Sequence, residues 1–113
     1  MAGRRSRMCA AALNLDDVHG LEAGEVLVFF RRNKGIVETG TFVRYDDERL
    51  YFRDADGVER SYDFVDVGVV PTIYGFNPLN IVVRQRDRDQ LPAVNPHATI
   101  FDNMPGRTRP ADL

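Results

Sequence analysis

Between Glu25 and Pro71 the chain repeats one pattern: a short run of β-branched and aromatic residues, then a cluster of Gly, Asn or Asp. Breaks recur at roughly 10–12-residue spacing, which an all-β domain requires and a helical one does not tolerate. The first run, Val26 to Arg31, is apolar on both of its alternating faces, Val26, Val28 and Phe30 against Leu27 and Phe29. That composition fits a strand covered on both sides inside a tightly curled sheet. Arg32-Asn33-Lys34-Gly35 predicts a hairpin turn. The second strand, Ile36 to Tyr45, contains Gly40, the mark of a sharp bend or bulge.

The pattern continues past Asp46-Asp47-Glu48. Arg49 to Arg53 alternates, with Leu50 and Phe52 inward and Arg49, Tyr51 and Arg53 outward. After Asp54-Ala55-Asp56-Gly57, a fourth strand is expected over Val58 to Phe64. The apolar parity then shifts to Val65, Val67 and Val69, predicting a kink and a fifth strand that Pro71 ends. The expectation is a mostly β protein, a small five-stranded barrel of SH3-like type.

The flanks read differently. Residues 1–12 predict a flexible basic arm, with Arg4, Arg5 and Arg7 and no acid. Asn14 to Gly20 predicts one short helical turn, packed through Leu13, Leu15, Val18 and Leu21. Residues 13–83 would form the barrel, with Leu79 to Val83 as an extra strand or a flap. Residues 84–113 hold Pro92, Pro96, Pro105 and Pro110 and predict an extended tail that docks through Ile100-Phe101.

Charge narrows the function classes. Residues 14–83 carry seven basic and thirteen acidic side chains, so the expected body is acidic. Nucleic-acid binders usually carry a basic footprint, because phosphate contacts dominate their affinity. No apolar run approaches the ~20 residues of a membrane span. Met8 to Leu13 is short for a signal sequence, so no secretion signal is expected. The single cysteine, Cys9, rules out an internal disulfide and fits a reducing, cytoplasmic setting.

Catalytic material is scarce. His19, His97 and Cys9 share no metal-ligand spacing, and no nucleophile elbow or phosphate loop is present. Asp46-Asp47-Glu48 reads as a solvated turn rather than a cation site. The chain is therefore expected to be no enzyme and to take no metal or cofactor. The aromatic–basic interleaving of Arg44-Tyr45, Arg49, Tyr51, Arg53, Arg60 and Tyr62 is the one pattern suited to stacking bases and gripping phosphates. The same pattern also suits a barrel wall whose arginines only keep it soluble.

Residues 25–71 resemble the Sm-like small barrels, most closely the bacterial host-factor (Hfq) type. The first motif is matched by Val26–Phe30, Gly35, Gly40, Tyr45-Asp46 and Leu50–Phe52. The second is matched by YDFVDVGVVP, from Tyr62 to the Val69-Val70-Pro71 close. In that family strand four of one subunit joins strand five of the next, forming rings that bind RNA around the pore. The resemblance implies a homo-oligomer with subunit contacts at Val58, Tyr62, Val65, Val67 and Val69. Where the family places Lys-His beside its uridine pocket this chain has Asp63-Phe64, and Glu48 stands where a stacking ring is expected. The resemblance thus implies the barrel without the usual RNA site, and a scaffold or protein-interaction role. RNA binding through the arginines is the alternative. A small-molecule pocket under residues 72–83, lined by Phe42, Tyr62, Phe76 and Leu79, is a third reading. Leu79–Val83 paired to a barrel edge would leave a monomer or simple dimer in place of a ring.

Overall fold

The computed structural model describes residues 11–71 and 78–97. Helix α1 (Leu15–His19) is set by a capping box. The Asp17 amide donates to Asn14 Oδ1 at 2.9 Å, and the Asn14 amide to Asp17 Oδ2 at 3.0 Å. So short a helix holds only when packed, and Val18 is fully buried.

Five antiparallel strands follow: β1 (Val26–Arg31), β2 (Gly35–Tyr45), β3 (Arg49–Arg53), β4 (Glu59–Asp63) and β5 (Asn80–Arg84). Their order across the sheet is β4-β3-β2-β1-β5. The protein is mostly β, as expected, with short helices at the sheet's margins.

β1 is covered on both faces, as its sequence predicts. Leu27 and Phe29 join the main core with Leu13, Val18, Phe42, Leu50, Phe52, Phe64, Val67, Val69 and Val82. Val28 and Phe30 face the other way, into a smaller cluster with Ala12, Ile81 and Val83 that Ala11 and Leu91 cover. Fully burying each such side chain contributes about 1.5–3 kcal/mol before entropy is counted.

β2 reaches both neighbours by bending. Val37 is an extra residue between the Phe29–Glu38 and Phe30–Ile36 pairs, and Val43 one between Phe42–Phe52 and Arg44–Tyr51. Bulges of this kind increase local twist. Gly40 lies between them and has a different purpose from the bend its sequence suggests. A Cβ there would run into the Phe52 ring, so the glycine lets that ring lie against the backbone.

The fifth strand is elsewhere than expected. Phe64–Val67 forms a 3-10 turn instead of a strand, and Gly68 ends it in the left-handed region at φ 74°. A side chain at 68 would also run into the Asn80 carbonyl oxygen. The apolar alternation of Val65, Val67 and Val69 is thus a tight turn that drops Val67 and Val69 into the core. The run at 79–83, read as an extra strand, supplies β5 and pairs with β1.

The flanks are more ordered than their composition suggests. The Leu13 amide donates to the Val82 carbonyl at 2.9 Å, so the segment before α1 runs along the outer edge of β5. Ala12, expected in a flexible arm, is buried. Gln85–Gln90 forms a second 3-10 turn, and Leu91 then packs on the outer cluster. The Asn95 amide donates to the Arg32 carbonyl. Cys9, Phe76 and Ile100-Phe101, with residues 1–10, 72–77 and 98–113, lie outside the described residues.

Candidate interaction surface

The outward residues of β3 and β4 form a wall of paired charges. Arg44 bonds Glu59 at 3.1 Å, and its guanidinium lies 3.7 Å over the Tyr51 ring. Arg49 reaches Asp63 at 3.2 Å and donates to Ser61 Oγ at 2.8 Å. Arg53 donates to the Gly57 carbonyl at 3.2 Å. Arg60 grips Glu38 with both terminal nitrogens, at 2.7 and 3.3 Å, and lies 3.6 Å from Asp54. The Tyr62 hydroxyl donates to the same Glu38.

This wall contains the residues proposed for nucleic acid, and it spends their charge internally. The Glu38 carboxylate raises the Arg60 pKa. Partial burial, then the bond to Glu38, raises the Tyr62 pKa. Tyr51 is raised by donating to Asp46, at 2.7 Å. The Tyr62 ring turns inward, over Phe29 and Phe52, with centroids 5.2 and 5.4 Å apart. Tyr45 stacks on His19 at 4.9 Å. The rings that sequence placed for base stacking are thus engaged with protein partners.

Two turns brace the wall. Asp46 Oδ1 accepts from the amides of Glu48 and Arg49 at 2.9 and 2.8 Å. The Glu48 amide, then the Tyr51 hydroxyl and the Arg49 amide, hold the Asp46 carboxyl below the usual carboxylate range. Asp54 Oδ1 accepts from Asp56 and Val58, and the Val58 amide leads in lowering its pKa.

The two edges of the sheet differ. The Asp54 amide donates to the Val58 carbonyl, and the Phe64 amide to the Glu48 carbonyl. Even-numbered residues of β4 therefore face β3, and the backbone of Glu59, Ser61 and Asp63 points away from the sheet. That outer edge has no ladder partner among the described residues. On β5 the outward carbonyl of Val82 is already bonded to Leu13.

Clefts flank β4. One, of about 350 Å³, lies between Tyr62 and the β5 residues Asn80 and Ile81, with Phe29, Phe30 and Val67 in its wall. The other, of about 400 Å³, sits at the C-terminal end of β4, between Leu15, the Asp47-Glu48 turn, Asp63-Phe64-Val65 and Val69-Val70-Pro71. Of the residues expected to line a small-molecule pocket, Phe42 and Leu79 are buried and Tyr62 lines the first cleft.

The expected subunit contacts separate. Val58 and Val65 are 54% and 67% exposed, whereas Val67 and Val69 are 4% and 1% exposed and belong to the core. Sequence reasoning missed Leu15 and Asp47, because α1 and the β2–β3 turn meet only through the fold. No group of His, Cys, Asp and Glu among the described residues is placed to hold a metal ion. No helix among them is long and apolar enough to cross a membrane. No family model, curated protein or solved structure matches this chain.

Proposed function

We propose that the chain is a non-catalytic binding module of Sm-like type that self-associates through the outer edge of β4. The observation that carries this reading is the row of outward backbone groups at Glu59, Ser61 and Asp63, unpartnered among the described residues. An open edge of this kind is a template for an added strand. The β1-to-β4 meander and a bulged β2 shared between β1 and β3 are what the fold has in common with the Sm-like pattern, while the sheet stays open, with β4 and β5 as its two edges, in place of the closed barrel expected.

The ring contact of that family needs β5 as the second edge, and here Leu13 engages β5 at Val82. Two β4 edges related by a two-fold axis are the favoured pairing, which closes as a dimer. Glu59 and Asp63 arrive at that seam already paired with Arg44 and Arg49.

Ser61→Pro removes an outward N–H without touching the β3–β4 ladder. The expected native mass is two chains for the unmodified protein and one for the variant, with unchanged circular dichroism. A single-chain mass for the unmodified protein overturns self-association.

RNA binding is the second reading, favoured by the arginine-bearing wall. Arg44, Arg49 and Arg60 are met by Glu59, Asp63, Glu38 and Asp54, which weakens the reading, while Arg53 has a carbonyl partner. Phosphate binding would fall steeply with salt, and titration with short RNA at low salt measures it directly.

A further inference from the structure

The cleft at the C-terminal end of β4 combines two properties that together define a ligand. Its floor is apolar: Phe64 and Val69 are buried, and Leu15, Val65 and Val70 form the sides. Its rim is acidic, with Asp47, Glu48 and Asp63 among the lining residues. The cation beside it, Arg49, is paired with Asp63 at 3.2 Å, and among the described residues no ion pair engages Asp47 or Glu48, which carry the negative charge at the mouth.

An anion is repelled from such a site, and a purely apolar guest would cover the carboxylates without pairing them, which costs free energy. A side chain with a hydrocarbon stem and a cationic head fits both halves. Its stem lies along apolar surface while its head stays at the carboxylates. Arginine adds bidentate geometry toward a carboxylate.

We propose that this cleft docks a basic peptide segment of a partner protein, an arginine entering over Leu15, Phe64 and Val69 and meeting Asp47 and Glu48. The cleft adjoins the last outward backbone group of β4, at Asp63, so an extended peptide can run beside the strand while its arginine fills the pocket. This inference goes beyond self-association and does not require it.

The test uses the full chain and two fluorescein-labelled heptapeptides, one alternating valine with arginine and one alternating valine with glutamate. The arginine peptide is expected to bind at least tenfold more tightly in fluorescence anisotropy. Asp47→Asn combined with Glu48→Gln is expected to lose at least fivefold in affinity, while Asp56→Asn, on the β3–β4 turn, retains it. Methyl resonances of Leu15, Val65, Val69 and Val70 should shift on titration.

Equal binding of the two peptides, or equal loss in the Asp56 control, overturns the proposal. So do shifts confined to other methyl groups. Both variants alter exposed turn residues, and an unchanged thermal midpoint confirms that they fold. Native mass on the same samples separates the two readings. A dimer indifferent to the arginine peptide overturns the docking site alone, and a monomer that binds it overturns edge pairing alone.

Discussion

The two ends of the sheet solve the same problem in opposite ways. β5 is bonded to β1 on one side and touched by Leu13 on the other, with apolar residues on both of its faces. Among the described residues β4 pairs with β3 alone, and its outward face is a lattice of arginines and carboxylates. Edge strands left open invite pairing with other chains, and charged side chains are a usual means of limiting that. The difference teaches that the β5 end is closed by backbone and apolar contacts, whereas the β4 edge is left open among the described residues and is flanked by charge. Ion pairs at exposed positions add little to stability, so the charge lattice governs what approaches β4 more than whether it folds.

The largest expected effect comes from breaking the well-covered end. Phe29 lies at the centre of the main core, 4.7 Å from the Phe52 ring and paired across the sheet with Val82. Phe29→Ala is expected to lose about 3–5 kcal/mol of unfolding free energy, read from denaturant titration. Next is the turn in the chain between β4 and β5. Gly68→Ala places a side chain at φ 74° and 3.0 Å from Pro78 Cγ, against the chain that leads into β5. A loss of about 1–3 kcal/mol is expected from the backbone strain alone. Amide exchange should accelerate at β5 more than at β4.

The smallest effect sharpens the contrast from the other side. Asp46 and Asp54, whose turns hold β3 and β4, have pKa values lowered chiefly by the Glu48 and Val58 amides. A carboxylate more acidic in the folded state contributes stability that is fully present above its unfolded pKa, about 4. That contribution is lost as pH falls from there through the folded value. Acid titration followed by amide exchange should therefore loosen the β3–β4 hairpin before β1 and β5. Simultaneous loosening of all strands would remove the distinction between the two ends.

Much of this was legible in sequence, and the exceptions have physical causes. The double apolar face of Val26–Arg31, the alternation of Arg49–Arg53 and the turns at Asn33, Asp46 and Asp54 are local features, and each lies where expected. The fifth strand was misplaced because a 3-10 turn that buries Phe64, Val67 and Val69 shows nearly the same spacing as a strand. Gly68, inside the valine run, is the residue that separates the two. The acidic cleft was illegible for another reason. Asp47-Glu48 looks like any solvated turn until α1 and the Phe64–Val67 turn close behind it. The ordering of Ala11 and Ala12 left no trace either, since two alanines carry no pattern.

The small cluster on the outer face of β1 has a consequence for synthesis. Val28 and Phe30 are made early, yet Ile81, Val83 and Leu91, which cover them, come some fifty residues later. During translation the most hydrophobic strand of the protein must wait with one face bare until nearly all of the described chain has left the ribosome. Chains stalled or truncated before β5, at residue 80, would display that face, and exposed apolar surface of this kind drives aggregation. Leu91, just past the last short turn, thus completes the outer cover of β1 rather than hanging from a finished domain.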